Sequence, residues 1–184
     1  SPMLCALLDA PVVQEQYIEW LDSRILLGEK EVERCKDDEA MLQNARATLA
    51  RFQQNKVDFC ENYNQNLLKQ FALCAQAGHL ELLATAASYA FLPHYADMPE
   101  VLNAQVEAGL YSHRKYFGTM PEGFWLPYLG YADGVEKVLR SYGINYTILD
   151  TRSLLFCADA PKTGIFAPVR CQNSLVVFAR DVDS

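Results

Sequence analysis

Three short apolar runs, separated by two capped helical stretches, constrain this chain more than anything else in it. The runs are Leu80-Glu81-Leu82-Leu83-Ala84-Thr85, Phe124-Trp125-Leu126-Pro127 and Tyr146-Thr147-Ile148-Leu149-Asp150. Between the first two, Leu102, Val106, Leu110 and Phe117 recur at helical spacing and Gly118 follows. Between the second and third, Val135, Val138, Leu139 and Tyr142 do the same, ahead of Gly143. Glycine just past the last periodic residue is the usual helix stop. Asp97-Met98-Pro99-Glu100 and Asp133-Gly134-Val135-Glu136 have capping-box spacing at the two helix starts. Strand, helix, strand, helix, strand at this spacing predicts parallel pairing with right-handed crossovers.

The flanks differ. Val13, Tyr17, Leu21 and Ile25 predict an amphipathic helix over 11–34, with an N-cap for the next helix within Lys36-Asp37-Asp38. Leu42, Ala45, Leu49, Phe52, Phe59, Tyr63, Leu67 and Phe71 continue as one long helix or a broken pair ending near Gly78. After the third run, 154–157, 164–169 and 174–178 read as short β segments, an antiparallel excursion beside the main sheet. The expected organisation is therefore 1–78 mainly helical, 79–151 parallel βαβαβ and 152–184 a β excursion, all one segment. Three α/β units do not close a barrel, so the expectation is an arc of a larger one.

Composition excludes several classes. The 184 residues are 51% hydrophobic and 21% charged, which suits a folded domain. A net charge of −7 argues against a nucleic-acid partner. No apolar run reaches the roughly 20 residues a membrane helix needs. Cys5, Cys35, Cys60, Cys74, Cys157 and Cys171 form no C-x-x-C pair, and His79, His94 and His113 lack ligand spacing. The expectation is no metal, no cofactor, free thiols and a cytoplasmic location.

In a parallel α/β fold, catalytic side chains stand at the C-terminal tips of strands. At the tip of the second run stands Tyr128, with Trp125 and Tyr131 beside it and Tyr89 at the tip of the first. Aromatic faces pack well on apolar C–H surfaces, so these four either line a ligand cleft or pack in the core. Asp150 ends the third run and either faces that cleft or caps the following loop. Glu122 and Glu81 precede or begin their strands, which puts Glu122 roughly 20 Å from Tyr128.

The motifs resemble those of glycoside hydrolase family 57, in particular its 1,4-α-glucan branching enzymes. Gly123-Phe124-Trp125-Leu126-Pro127-Tyr128-Leu129-Gly130-Tyr131 is similar to that family's W-L-P-E-C-G-Y region. Ser1-Pro2-Met3-Leu4, Gly78-His79-Leu80-Glu81-Leu82, Phe91-Leu92-Pro93, Tyr116-Phe117-Gly118, Gly143-Ile144-Asn145-Tyr146, Gly164-Ile165-Phe166-Ala167-Pro168-Val169 and Phe178-Ala179-Arg180-Asp181 resemble further family stretches in order. The resemblance implies a partial (β/α)7 barrel and an α-glucan or maltooligosaccharide ligand. It also implies a retaining mechanism, with an H-x-H strand and an acid/base aspartate that lie outside this segment. On the same pattern, Tyr128 stands at the family's nucleophilic Glu, Tyr89 at its His after the L-E-L strand, and Arg152 at the His of D-T-H-G. Retaining hydrolysis needs a carboxylate nucleophile to trap an oxocarbenium-like centre, and tyrosine is neutral near pH 7 with a pKa of about 10. The expectation is a degenerate catalytic site that keeps a glucan cleft of Tyr89, Trp125, Tyr128, Tyr131, Asp150 and Arg152. The alternatives are an active branching enzyme or transferase, and a non-catalytic interaction module.

Overall fold

The computed structural model describes residues 1–181. It divides into two compact units: Ala6–Cys74, and residues 1–5 together with the chain from Ala75 onward. Helix α1 (Pro2–Asp9) opens the chain.

The Ala6–Cys74 unit is helical. α2 (Pro11–Arg34) matches the predicted span and begins with proline, whose fixed φ suits a first turn. Asp38 caps α3 (Glu39–Val57), its carboxylate accepting from the Met41 N–H at 3.1 Å. The second stripe is a broken pair. α3 passes into a π-helical turn over Asp58–Asn62, and α4 (Leu67–Gln76) follows. Tyr17 meets Phe59 edge-on at 4.9 Å, Trp20 meets Phe52 at 5.7 Å, and Leu21, Leu42, Phe59 and Leu68 are buried. Lys56 pairs with Asp22 across the α2–α3 hairpin.

The other unit is a mixed α/β layer built on a mainly parallel sheet. Its strands are β1 (Ala84–Thr85), β2 (Gly123–Trp125), β3 (Tyr146–Asp150), β4 (Val169–Arg170) and β5 (Val176–Arg180), in the spatial order β1-β2-β3-β5-β4. The predicted β1–β2 and β2–β3 parallel pairs form, in the register Thr85↔Trp125 and Phe124↔Thr147. α5 (Pro99–Phe117) and α6 (Val135–Ser141) are the crossovers, and Gly118 and Gly143 close them with left-handed φ of 74° and 81°.

Phe124, Leu126, Leu149, Leu175 and Val177 from the strands and their ends meet Leu102, Val106 and Leu110 of α5 and Val135 and Leu139 of α6 in one core. Along β3 burial alternates, with Thr147 and Leu149 buried and Tyr146, Ile148 and Asp150 half-buried. The helices therefore cover one face of the sheet, the one that Phe124 and Leu126 share. α5 comes close over β1 because residue 109 is glycine: a Cβ there would lie 2.1 Å from the Thr85 carbonyl oxygen.

Four expectations fail in detail. The first strand shrinks to Ala84–Thr85, and the chain from Leu80 to Leu83 lies outside it. Neither acidic residue caps its helix: the N-cap residues are Met98 and Gly134. Glu136 does supply the reciprocal half of a capping box, accepting from Gly134 N–H at 2.9 Å. Residues 154–157 are not β, because Asp150 caps a short helix, α7 (Thr151–Leu155), that takes in 154 and 155, and 156–157 turn away after it. The antiparallel excursion is narrower than expected. β5 pairs parallel to β3 over its whole length as a fourth parallel strand, and only β4 runs antiparallel, against β5.

Threonine hydroxyls link the parallel strands. Thr85 Oγ1 donates to the Trp125 carbonyl at 2.8 Å, and Thr147 Oγ1 donates to the Phe124 carbonyl at 2.7 Å. Each joins a residue to its own register partner, so β2 is held from both sides. Thr151 Oγ1 likewise donates to the Arg180 carbonyl. Thr147 is buried, and replacing its hydroxyl with a methyl removes that bond at nearly constant volume. Thr147→Val is expected to lower unfolding stability by about 1–2 kcal/mol, read as a shift of the urea midpoint at constant slope.

Candidate functional site

The tip of β2 is a pair of overlapping turns. Leu129 N–H bonds to the Leu126 carbonyl at 2.9 Å, and Gly130 N–H bonds to the Pro127 carbonyl at 3.0 Å. Proline at the second position of the first turn suits a type II geometry, which demands a left-handed residue next. That residue is Tyr128, with φ 57° and ψ 17°, and Leu129 follows with φ 55°. Two consecutive left-handed residues that are not glycine cost on the order of 1–2 kcal/mol each. The result is a Tyr128 side chain turned out of the strand and 71% exposed.

Tyr89 has the same left-handed φ of 57°. Its turn is bonded from Tyr89 N–H to the Ala86 carbonyl at 3.2 Å, and α5 holds it through Gln105, whose Oε1 accepts from both the N–H and the hydroxyl of Ser88. The two tips meet. The rings of Tyr89 and Tyr128 lie 5.4 Å apart, tilted by 66°, and Trp125 Nε1–H donates to the Tyr89 hydroxyl at 3.0 Å. Phe91 adds a third ring against Tyr128, at 6.4 Å. It can sit there because residue 130 is glycine: a Cβ would lie 2.3 Å from the Phe91 ring.

Sequence reasoning placed Tyr89, Trp125 and Tyr128 at this tip, and here they form one cluster. It missed Phe91, whose place in a Phe-Leu-Pro stretch carried no signal of its direction. Tyr131 is occupied elsewhere. Its hydroxyl donates to Glu136 Oε2 at 3.0 Å, the same oxygen that accepts from Gly134 N–H. Asp150 accepts from the backbone N–H of Arg152 at 3.0 Å, so its carboxylate caps α7, and the Arg152 side chain is exposed.

Glu81 and Glu122 stand at the opposite strand ends. Tyr146 begins β3, and its hydroxyl donates to Glu81 Oε1 at 2.6 Å. The Glu122 carbonyl accepts from Asn145 N–H at 2.7 Å at the same end. Because the strands are parallel, this end is the one away from Tyr128 and Asp150. The tips of β1 and β2 therefore offer aromatic faces and a phenol hydroxyl, and the carboxylates of Asp150 and Glu136 on this side are engaged in bonds at the starts of α7 and α6. His113 is buried in α5 with its ring 5.0 Å from Phe117, and burial lowers its pKa. Among the described residues, no group of three or more His, Cys, Asp or Glu side chains could hold a metal ion, and no helix is long and apolar enough to cross a membrane. All six cysteines are free thiols.

Burial and the bond to Glu136 raise the pKa of Tyr131 well above the ordinary phenol value, and burial and the bond to Glu81 do the same for Tyr146. A raised phenol pKa contributes stability that is complete below pH 10 and disappears as pH rises through the folded-state value. Titration of phenolate absorbance is expected to show late-ionising tyrosines above the main wave, one fewer in Tyr131→Phe. The stability contributed by these two phenols is expected to decline on the alkaline side of pH 10.

Comparison with known proteins follows the same lines. The sequence model described as Glycosyl hydrolase family 57 matches residues 7–183. A 1,4-alpha-glucan branching enzyme of Thermococcus kodakarensis, TK1436, is 22% identical over 98% of this chain and 30% of its own length. The crystal structure of the alpha-amylase AmyC from Thermotoga maritima superposes with a TM-score of 0.93 at 31% identity, over 99% of this chain and 35% of that one. The GH57-type branching enzyme from Pyrococcus horikoshii gives a TM-score of 0.87 at 23% identity, over 99% of this chain and 36% of that one, a likeness of fold. The chain thus spans about a third of the length of these relatives.

Proposed function

The chain belongs to glycosyl hydrolase family 57, and we propose that it is an α-glucan-recognising member of branching-enzyme type whose nucleophile position no longer supports catalysis. One observation carries the reading. At the strand tip where the family pattern has glutamate stands Tyr128, and its ring packs on Tyr89, where the pattern has histidine. A retaining nucleophile must be an anion beside the anomeric carbon. This tip presents edge-to-face rings instead, and the glutamates Glu81 and Glu122 sit at the other end of the strands.

The same rings suit binding. Tyr128 is largely exposed, and Phe91 is exposed on its flank, so each offers a face to a pyranose ring. In this reading Tyr89, Trp125 and Tyr128 form the platform, Arg152 is a free rim cation, and Tyr131 and Asp150 shape the rim by holding the starts of α6 and α7. The adjacent parallel strands β1, β2, β3 and β5 follow chain order, as an arc of a (β/α)7 barrel would. The named relatives, a branching enzyme and an amylase, support an α-glucan ligand. Free thiols suit a reducing, cytoplasmic setting. The reading requires no metal or cofactor.

Calorimetric titration of the full-length protein with maltoheptaose tests it. Binding is expected, Tyr128→Ala is expected to weaken it roughly three- to tenfold, and incubation with amylose is expected to yield neither reducing ends nor branches. Branching or hydrolysis that disappears in Tyr128→Phe would instead make Tyr128 a working nucleophile. A Tyr128→Ala loss no greater than that of surface alanine variants would remove the cleft from the tip.

A further inference from the structure

We propose that Tyr89 is a positioning residue: its hydroxyl fixes the Trp125 indole and its ring supports Tyr128, so that the three present one preformed corner to a pyranose chain. The proposal rests on the glucan-binding reading for its ligand, and on internal contacts for its geometry.

Those contacts are specific. A phenol oxygen can accept one hydrogen bond and still donate its own proton. Here it accepts from Trp125 Nε1–H at 3.0 Å. An indole N–H has no other role than donation, so this bond selects one orientation of the half-buried Trp125 ring. The Tyr89 ring then meets Tyr128 at 5.4 Å and 66°, an edge-to-face geometry. Tyr89 can brace both rings because its own backbone is held, by the bond to Ala86 and by Gln105 of α5 through Ser88. The backbone of Tyr128 is held by its own two overlapping turns, but its side chain stands out from them and is 71% exposed. Order therefore passes from α5 through Tyr89 to the exposed ring. A ligand meeting rings already held in place avoids the entropy of ordering them.

Removing one oxygen atom tests this. Trp20→Phe leaves Trp125 as the sole tryptophan and serves as the parent protein. Adding Tyr89→Phe is expected to shift the Trp125 emission maximum and change its near-ultraviolet circular dichroism. It is also expected to weaken maltoheptaose binding at least threefold. Tyr111→Phe removes the same atom from an exposed ring of α5 outside the cluster and is expected to leave both readouts within experimental error and twofold, respectively. A Tyr89→Phe protein that binds within twofold of its parent overturns the proposal, whatever its spectrum. If the parent binds no maltoheptaose, the glucan reading fails separately and the spectrum alone decides. An unchanged Trp125 signal in Tyr89→Phe then overturns the positioning role, and a changed one sustains it.

Discussion

Everything at the strand tip depends on β2 keeping its register, and two threonine hydroxyls grip it from either side. Parallel strands pair through slanted, evenly spaced bonds, and a one-residue slip exchanges the two faces. For β2 a slip would drive Trp125 into the core and lift Phe124 and Leu126 out of it. Thr85 and Thr147 oppose this because each hydroxyl reaches the carbonyl of its own register partner. Both threonines are buried, so these bonds lie where an unpaired polar group would be costly. The sheet is shielded by α5 and α6 on the Phe124 face, and Trp125 is left on the other face to meet Tyr89.

The site is then assembled from short-range geometry. Pro127 starts a turn that demands a left-handed residue, Gly130 leaves room for a ring, and the turn before Tyr89 is tied to α5. None of this involves a charged pair. A tip built this way holds flat apolar faces in fixed directions, which is the property the proposed ring recognition rests on.

Legibility in the sequence followed how local each signal was. α2, the Asp38 cap, the glycines ending α5 and α6, and β3 were readable because one turn or one run of residues determines them. The stretch after Asp150 is the instructive failure, while capping was one of the two readings for Asp150 itself. Asp150 was placed correctly at the end of a strand, but its bond to the Arg152 N–H starts a helix where the apolar Leu154–Cys157 stretch had suggested β structure. The parallel pairing of β5 with β3 was invisible because no capped helical stretch between them signalled a crossover, as α5 and α6 did for the other pairs, and alternation alone carries no direction. At the site, the tips of β1 and β2 were readable as tips, and so Tyr89 and Tyr128 were found. The positions of Phe91 and Tyr131 were not, since one depends on the space above Gly130 and the other on Glu136 turning back toward its own helix start.

The left-handed backbone at residue 128 has a consequence for how such a protein can change over time. A positive φ burdens β-branched and bulky side chains most, asparagine and aspartate less, and glycine hardly at all, so the tyrosine here is not chosen for its backbone fit. The side chain at 128 is also largely in solvent, so its identity contributes little to the core. Folding therefore exerts almost no selection for a tyrosine there. Once the need for a particular chemistry at that point relaxes, the position can drift while the scaffold beneath it persists unchanged.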